Sequence, residues 1–266
     1  MSTRRVGWRL PALAAACIVL VCARGAQAAG IPHGERRSGY EFMSRETRAM
    51  QDDDFVNPGT LWVLDGEALW NRKDGAAGRA CADCHGDARE SMKGVAVRHP
   101  AWDAAAGRPV NLEQRINACR AGRQQAARLA YEGKDLLALT AYVARQSRGM
   151  AIDAASDGRM QPFLDAGRET FMRRQGQLNL ACAQCHDEQW GKKLAGTTIP
   201  QAHPTGYPIY RLEWQGLGSL QRRLRNCMIG MRAEPYAYGA PEFVDLELYL
   251  MWRAQGMKLE APGVRP

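Results

Sequence analysis

A five-residue motif that occurs twice constrains this chain most strongly, as Cys81-Ala-Asp-Cys-His85 and as Cys182-Ala-Gln-Cys-His186. The CxxCH spacing is typical of c-type haem attachment, in which both cysteines bond to the porphyrin and the histidine is the proximal iron ligand. A CxxC pair alone would also fit a thioredoxin-like or zinc site, but the adjacent histidines and the duplication favour haem. The sequence therefore predicts two covalently bound haem c groups, attached through Cys81, Cys84, Cys182 and Cys185, with His85 and His186 as axial ligands.

The two motifs lie in two copies of one domain. Gly66-Glu-Ala-Leu-Trp70 stands fifteen residues before Cys81, and Gly167-Arg-Glu-Thr-Phe171 stands fifteen residues before Cys182. The difference in residue number between equivalent positions of the two copies grows from 101 to 108 and then returns to 107. Loop insertions between fixed elements would produce such changes. We predict a first haem domain over residues 61–155 and a second over 156–266, with a linker near 151–160.

The fold class expected from these segments is all-α. Helices are predicted over residues 61–72, 112–129 and 163–175, and further apolar helices end near Gly149 and Gly256, with Pro241 in a first turn. No long alternating run indicates a sheet. Each half is too small to bury much apolar surface alone, so we expect two tandem cytochrome c-like domains, each packed around its haem.

Residues 29–60 belong to neither copy and carry several arginines and the run Asp52-Asp53-Asp54. This N-terminal extension would wrap around the body or meet a partner, although an ordinary solvated segment is the simpler interpretation. The segment before it has a basic start, an apolar run from Leu10 to Cys22 and a small-residue cleavage site at Ala26-Gln27-Ala28. Residues 1–28 are therefore interpreted as a signal peptide for export to the periplasm, rather than as a retained anchor or a lipoprotein signal.

Removal of the signal peptide changes both the charge and the cysteine count. It takes away four arginines and no acids, so the net charge falls from +8 to +4 and no nucleic-acid partner is expected. Cys17 and Cys22 leave with it, and haem attachment uses four of the six that remain. The two left over, Cys119 and Cys227, occupy equivalent positions after their CxxCH motifs.

A repeated cysteine in each domain predicts a repeated role, and axial thiolate ligation of each iron by Cys119 and Cys227 is the favoured one. A Cys119–Cys227 disulfide and two buried thiols remain alternatives. Histidine or methionine ligands also remain open, and the candidates are His99, His203, Met150, Met228, Met231 and Met257.

The surroundings of Cys227 differ from those of Cys119, because Arg222, Arg223 and Arg225 precede it and Arg232 follows. On a helix, Arg223 lies one turn before Cys227, so both side chains share a face. Positive charge lowers a thiol pKa and attracts an anionic reactant, which indicates a reactive sulfur. Solvated arginines, or arginines paired with haem propionates, are the alternative.

Three segments, 112–119, 206–219 and 226–236, together with the order of the CxxCH motifs, resemble SoxA, the dihaem subunit of the SoxAX cytochrome of bacterial sulfur oxidation. The resemblance extends over nearly the whole chain after the signal peptide, and the segment around Cys227 is its most specific part.

The resemblance implies an L-cysteine S-thiosulfotransferase. SoxAX joins thiosulfate oxidatively to a cysteine of the carrier SoxYZ and passes two electrons to a small cytochrome c. The matching positions imply that His85 and Cys119 bind the first iron, and that His186 and Cys227 bind the second. Cys227 matches the active cysteine, which can carry an extra sulfur as a persulfide, and Arg223 matches the position tied to substrate. A one-to-one complex with the monohaem cytochrome SoxX is the family expectation.

A different class of protein competes with this interpretation. A non-catalytic periplasmic dihaem electron-transfer cytochrome with His/Met or His/His ligation would carry the same CxxCH motifs. Its function would survive the loss of Cys227.

Overall fold

A computed structural model describes residues 1–2 and 31–266 of the chain. Nearly all of the predicted signal peptide lies outside the described residues and stays a prediction. Within the described part, no helix is both long and apolar enough to cross a membrane.

The described chain is mainly helical, with short strands between the helices. The helices are α1 (Arg45–Asp52), α2 (Gly59–Asn71), α3 (Ala82–His85), α4 (Ala88–Ser91), α5 (Leu112–Cys119), α6 (Lys134–Arg145), α7 (Gln161–Met172), α8 (Cys182–His186), α9 (Leu220–Gly230) and α10 (Pro241–Arg253). The strands are β1 (Ala101–Asp103), β2 (Arg108–Val110), β3 (Lys193–Leu194), β4 (Thr197–Thr198), β5 (Ile209–Arg211), β6 (Gly216–Gly218) and β7 (Gly263–Arg265).

The strands make the all-α prediction an approximation. They form two hairpins, β1–β2 and β3–β4, and one three-stranded sheet in the order β6-β5-β7. Every strand has two or three residues, which is too short to show an alternating pattern in the sequence. The helices nevertheless build the framework of both halves.

Each half is organised around one close helix pair, α2 with α6 and α7 with α10. The helices touch at a glycine: a Cβ on Gly66 would overlap the carbonyl oxygen of Ala138, and one on Gly167 would overlap that of Asp245. These are equivalent positions of the repeat. The predicted helices at 61–72 and 163–175 match α2 and α7 to within three residues, and Pro241 begins α10 as expected.

The helix predicted over residues 112–129 is wrong at its C-terminal end. α5 ends at Cys119, a π-helical turn continues to Gln124, and Gln125 adopts a left-handed φ of 53°. The chain then folds back, so that Asn117 accepts a hydrogen bond from the Leu129 amide at 2.8 Å and donates one to the Leu129 carbonyl at 3.0 Å. Side-chain hydrogen bonds of this kind compete with helix continuation.

The N-terminal extension packs on the body instead of remaining a solvated segment. Gln51 on α1 is 3% exposed and accepts a hydrogen bond from the Val264 amide of β7 at 2.9 Å. Asn57 donates to the Pro262 carbonyl at 3.1 Å, and Asp54 pairs with Arg145 and Arg148 of the first half. The extension therefore holds α2 and α6 against the C-terminal strand.

The predicted linker contains no helix and no named strand, but it is tied to the rest of the chain. The Ile152 amide donates to the Met257 carbonyl at 2.8 Å, and the Gly256 amide donates to the Ile152 carbonyl at 2.9 Å. Ile152 is 1% exposed and belongs to a core cluster that also contains Met251 of α10 and Ala254, which follows that helix. The two halves consequently share a core.

Candidate functional site

The first CxxCH motif borders a cavity of about 300 Å³. Cys81, Cys84 and His85 line it from one side, and Cys119 lines it from the end of α5. Apolar side chains supply much of the remaining wall, namely Trp70, Met92, Val95, Leu112, Ile116, Leu139 and Val143. The structure thus brings together all four residues that the sequence assigned to the first haem.

Local hydrogen bonds hold the elements of this cavity in place. Trp70 is buried, donates from its indole Nε1 to the Gly86 carbonyl at 3.0 Å, and packs its ring 5.7 Å from that of His85. Asn111 and Gln114 form a reciprocal capping box at the start of α5. The cap fixes the direction of α5, and with it the position of Cys119 at the end of the helix.

Arginines line the same cavity, but two of them already have carboxylate partners. Arg120 pairs with Asp74 at 2.7 Å, and Arg115 pairs with Asp103 at 2.8 Å. Burial raises the pKa of the Cys81 thiol, and nearby Cys119 adds to the effect although Arg120 opposes it. The first cavity is therefore apolar around its cysteine sulfurs. Two of the arginines that line it, Arg115 and Arg120, are bound to carboxylates.

The second motif borders a cavity of about 280 Å³ that His186 and Cys227 both line. His186 directs Nδ1 at the Pro200 carbonyl, 2.6 Å away. That contact leaves Nε2 for a metal and fixes the ring orientation, which is how metal-binding histidines are usually held. Burial lowers the pKa of His186, with Arg223 and Arg253 contributing, so the imidazole is kept in the neutral form that a ligand requires.

The attachment cysteines of the second motif lie close to Cys227. Burial raises the pKa of Cys182 to about 12, and the proximity of Cys227 adds to this rise. The pKa of Cys185 is raised by the same two causes in the same order. Cys182 and Cys185 therefore lie near Cys227, although of the four predicted haem residues only His186 and Cys227 line the cavity itself.

Arg223 lines the second cavity together with Cys227, as their spacing on one helix predicts. Burial opposes the charged form of Arg223, but Cys227 and Tyr207 more than compensate, and its pKa is raised. Tyr207 also lines the cavity, and burial raises the pKa of its hydroxyl. The guanidinium of Arg223 thus stays charged in a water-poor environment beside the sulfur.

The other arginines near Cys227 in sequence do not form a single pocket with it. Arg222 stacks on Trp214, with its guanidinium carbon 4.2 Å from the ring centroid, and Arg225 lies over Tyr238 and donates to the Tyr236 carbonyl. The helical period explains the difference, because residues one and two positions away from Arg223 leave its face.

This cationic cavity is completed by three residues that the sequence patterns did not predict. Arg211 on β5, Lys193 on β3 and Arg265 on β7 line it from distant parts of the chain. Arg211 is 8% exposed, and burial lowers its pKa, with the charge of Arg223 as the next cause. Two guanidinium groups that repel each other in one cavity indicate a site for an anion.

Of the alternative axial ligands, the two histidines border the haem cavities and the four methionines do not. His99 lines the first cavity and His203 the second, and each directs Nδ1 at a backbone carbonyl 2.9 Å away. None of the methionines considered from the sequence borders either cavity, although Met92 and Met43 do. All six cysteines of the described chain are free, so the Cys119–Cys227 disulfide is not formed.

The residues present fit haem c. The first cavity is lined by Cys81, Cys84, His85 and Cys119 with apolar walls, and the second by His186 and Cys227 with Cys182 and Cys185 nearby. Cysteines beside a histidine are the donors that hold a covalently attached porphyrin. Arg79 and Arg123 border the first cavity as cations suited to propionates. Within the described residues, no group of three or more His, Cys, Asp or Glu side chains is placed to hold a bare metal ion.

Two repeated helical domains, each closed over an apolar cavity beside a CxxCH motif, define a protein with tandem cytochrome c-like domains. The family model of the SoxA/TsdA cytochrome c domain matches residues 65–152 and 166–259. The chain belongs to this SoxA/TsdA family, and a cytochrome c domain of this kind implies haem c as cofactor.

Relatives and a solved structure agree with the family match. The chain is 40% identical to the L-cysteine S-thiosulfotransferase subunit SoxA of Pseudaminobacter salicylatoxidans, over 91% of this chain and 85% of the relative. It is 40% identical to the subunit of the same name from Rhodovulum sulfidophilum, over 87% and 80%. The crystal structure of SoxXA from P. pantotrophus superposes with a TM-score of 0.84 at 32% identity and covers 87% of each chain.

These comparisons confirm the resemblance to SoxA and the pair of cytochrome c-like domains. They also confirm that the chain is an enzyme subunit, since the relatives carry an enzyme name over most of its length.

Proposed function

We propose that the chain is a SoxA-type subunit with two covalently attached haem c groups, which works with a SoxX partner to join thiosulfate to a cysteine of the SoxYZ carrier. The carrying observation is that Cys227 and Arg223, one turn apart on α9, line one cavity with His186. The similarity to subunits named L-cysteine S-thiosulfotransferase adds support.

Cys81 and Cys84 would hold the first haem and Cys182 and Cys185 the second. His85 and Cys119 would hold the first iron, and His186 and Cys227 would hold the second. When bound, haem iron supplies a one-electron acceptor and a soft binding site for sulfur. The Nδ1 contact of His186 with Pro200 keeps its ring in one orientation through the reaction.

The reaction balances as an oxidative coupling. A carrier thiol and thiosulfate combine to a cysteine S-thiosulfonate, with loss of one proton and two electrons. The bond formed is between the carrier sulfur and the outer sulfur of thiosulfate. Cys227 is assigned as the catalytic residue, because its sulfur lines the cavity together with the charged Arg223. The haems, when bound, would supply the path by which the two electrons reach a small cytochrome c.

The cavity is built to bind thiosulfate as a dianion. Arg223 remains charged beside Cys227, and Arg211 adds a second guanidinium from β5. Charge-assisted hydrogen bonds to sulfonate oxygens are strong in a partly dry site and would hold the outer sulfur toward Cys227. Arg211 is itself held by Glu213 at 2.8 Å and by the ring of Trp214.

The first domain serves electron transfer or structure in this proposal. Arg115 is its equivalent of Arg223, and Arg115 is bound to Asp103. That ion pair occupies the guanidinium that corresponds to Arg223, and the remaining arginines of the first cavity, Arg79 and Arg123, would pair with haem propionates. The sulfur chemistry is therefore assigned to the second domain, residues 156–266. Electron transfer or a structural role is assigned to the first domain, residues 61–155.

Ligand identity is the part of the proposal that is most directly tested. We would record low-temperature EPR spectra of the haem-loaded complex with its SoxX partner, comparing the wild type with Cys227→Met and, as a matched variant in the other copy, Cys119→Met. Two low-spin thiolate-type signals are expected, and each variant should remove a different one. Cys227→Met should also abolish thiosulfate-dependent reduction of cytochrome c.

A non-catalytic dihaem electron carrier predicts different results. Its spectrum would contain His/Met or His/His signals that neither variant alters, and electron transfer would survive in Cys227→Met. That combination would exclude the sulfur-transfer function. Export is tested separately by locating the processed chain in the periplasm, since the proposal places the reaction there.

A further inference from the structure

A third, small cavity of about 70 Å³ lies between the two domains. Equivalent positions of the repeat line it from both sides, which places it where the two copies face each other. The equivalent pairs are Pro100 with Pro204, Leu112 with Leu220, Thr140 with Glu247, and Ala144 with Met251. A volume of this size accommodates ordered water where polar groups are present.

This interdomain cavity adjoins both haem cavities. His99 and Leu112 line it together with the first haem cavity. Tyr207, Pro204 and Leu220 line it together with the second. It is thus separated from each haem cavity by single side chains, and a charge placed in it would act on both haems.

Two residues with carboxyl groups line this space, Glu113 from α5 and Glu247 from α10. Glu247 is 7% exposed, and its partner is an amide rather than a cation: Asn111 Nδ2 donates to its two oxygens at 3.2 and 3.4 Å. The equivalent positions carry Gln221 and Thr140, which do not ionise. The two copies have therefore diverged to place one acid each at their shared face.

The groups around the pair do not neutralise it. Tyr131, Glu132, His99 and Tyr207 are the other titratable side chains nearby, while Arg128 acts on Tyr131 and Arg222 lies 3.9 Å from Glu132. Burial raises the pKa of Glu113, and the charge of Glu132 adds to this rise. Burial also raises the pKa of Glu247, and there the charge of Glu113 adds to the rise. Buried Nε2 of His99 has no hydrogen-bond partner among the described residues. Such a pair holds a shared proton more readily than two negative charges.

We propose that Glu113 and Glu247 form an internal proton-binding site that takes up one proton from solvent when a haem is reduced and releases it on reoxidation. The electron adds one negative charge to a haem, and the proton added to the carboxylate pair cancels it within the shared region. Glu113 is only partly buried. The inference rests on the two haems proposed above but not on the sulfur chemistry.

The test uses the haem-loaded complex without thiosulfate, so that failure of the sulfur-transfer proposal would not affect it. Infrared difference spectra between the electrochemically oxidised and reduced protein should contain a protonated-carboxyl C=O band that shifts in D₂O. The midpoint potentials of the haems, measured by absorbance, should fall with rising pH near neutrality. Roughly one proton per chain is the expected uptake.

Glu247→Gln and Glu113→Gln keep the shape of the side chains and should each remove the carboxyl band and reduce the pH dependence of the potentials at least threefold. Glu242→Gln changes an exposed acid on the same helix and should leave both unchanged. The proposal is overturned if the wild-type difference spectrum lacks the band, a result that needs no variant to fold. It is also overturned if folded Glu→Gln variants keep the wild-type pH dependence.

Discussion

Arg223 and Cys227 line one cavity from the same face of α9, as Arg115 and Cys119 do in the first copy, but Asp103 binds Arg115 there at 2.8 Å. The two copies therefore present the same scaffold with different charge. Among the described residues, the arginine one turn before the cysteine is bound to a carboxylate in the first copy and to none in the second.

Arg223→Met should weaken thiosulfate turnover by roughly a hundredfold, the scale expected when one charged donor to a developing or bound anion is removed. The haem absorbance should stay nearly intact because methionine fills similar volume. Steady-state reduction of cytochrome c against thiosulfate concentration measures the effect. Arg222→Met is the control, since Arg222 faces Trp214 and not the cavity; equal losses in both variants would contradict a specific role for Arg223.

The number of haems is checked by pairs of cysteine substitutions. The wild type should contain two haem c per chain in an alkaline pyridine assay. Cys81→Ala with Cys84→Ala, and Cys182→Ala with Cys185→Ala, should each leave one, because thioether attachment requires the motif. A wild-type ratio of one, or a double substitution without effect on the ratio, would refute one of the two attachment sites.

The close helix contacts predict strong effects of a single methyl group. Gly66→Ala and Gly167→Ala each place a Cβ against a backbone carbonyl that cannot move without displacing α6 or α10. Overpacking of this kind costs about 1–3 kcal/mol, which should lower the thermal unfolding midpoint of the haem-loaded protein by several degrees. Gly230→Ala meets nothing within 4 Å and should have little effect; similar midpoints for all three variants would argue against the helix crossing described.

The acid pair also predicts how stability depends on pH. Because the folded state raises the pKa of Glu113 and Glu247 by burial, it binds protons that the unfolded chain has already lost. The free energy of unfolding should therefore fall as the pH rises from about 5 through neutrality. Thermal unfolding across this range should show a smaller decline in Glu247→Gln than in wild type or Glu242→Gln. An unchanged profile would mean that Glu247 is ionised in the folded protein.

Much of this architecture could be predicted from the sequence, because the motifs that define it depend on residues close together in the chain. The CxxCH motifs and the Arg223–Cys227 spacing depend on neighbours within one turn, so their placement follows from the helical period. The end of α5 could not be foreseen in the same way. It depends on the hydrogen bonds between Asn117 and Leu129, which form only once the chain has turned back.

The features that could not be predicted depend on contacts between residues that are far apart in the sequence. Arg211, Lys193 and Arg265 reach the second cavity from three strands that are too short to be recognised. The packing of the N-terminal extension likewise depends on Gln51 meeting Val264, more than two hundred residues away. A run of charged residues in a sequence indicates that the segment is exposed on average. It does not indicate which of its carboxylates form ion pairs with distant residues.

The cavity between the domains limits how this protein can be dissected. Because paired positions such as Leu112 and Leu220 close it from opposite sides, cutting the chain between the copies would open that face to water. Glu113 and Glu247 would then ionise as ordinary surface acids. A fragment carrying one haem would therefore report the potential of an isolated domain, and the sum of two such fragments would not describe the intact molecule.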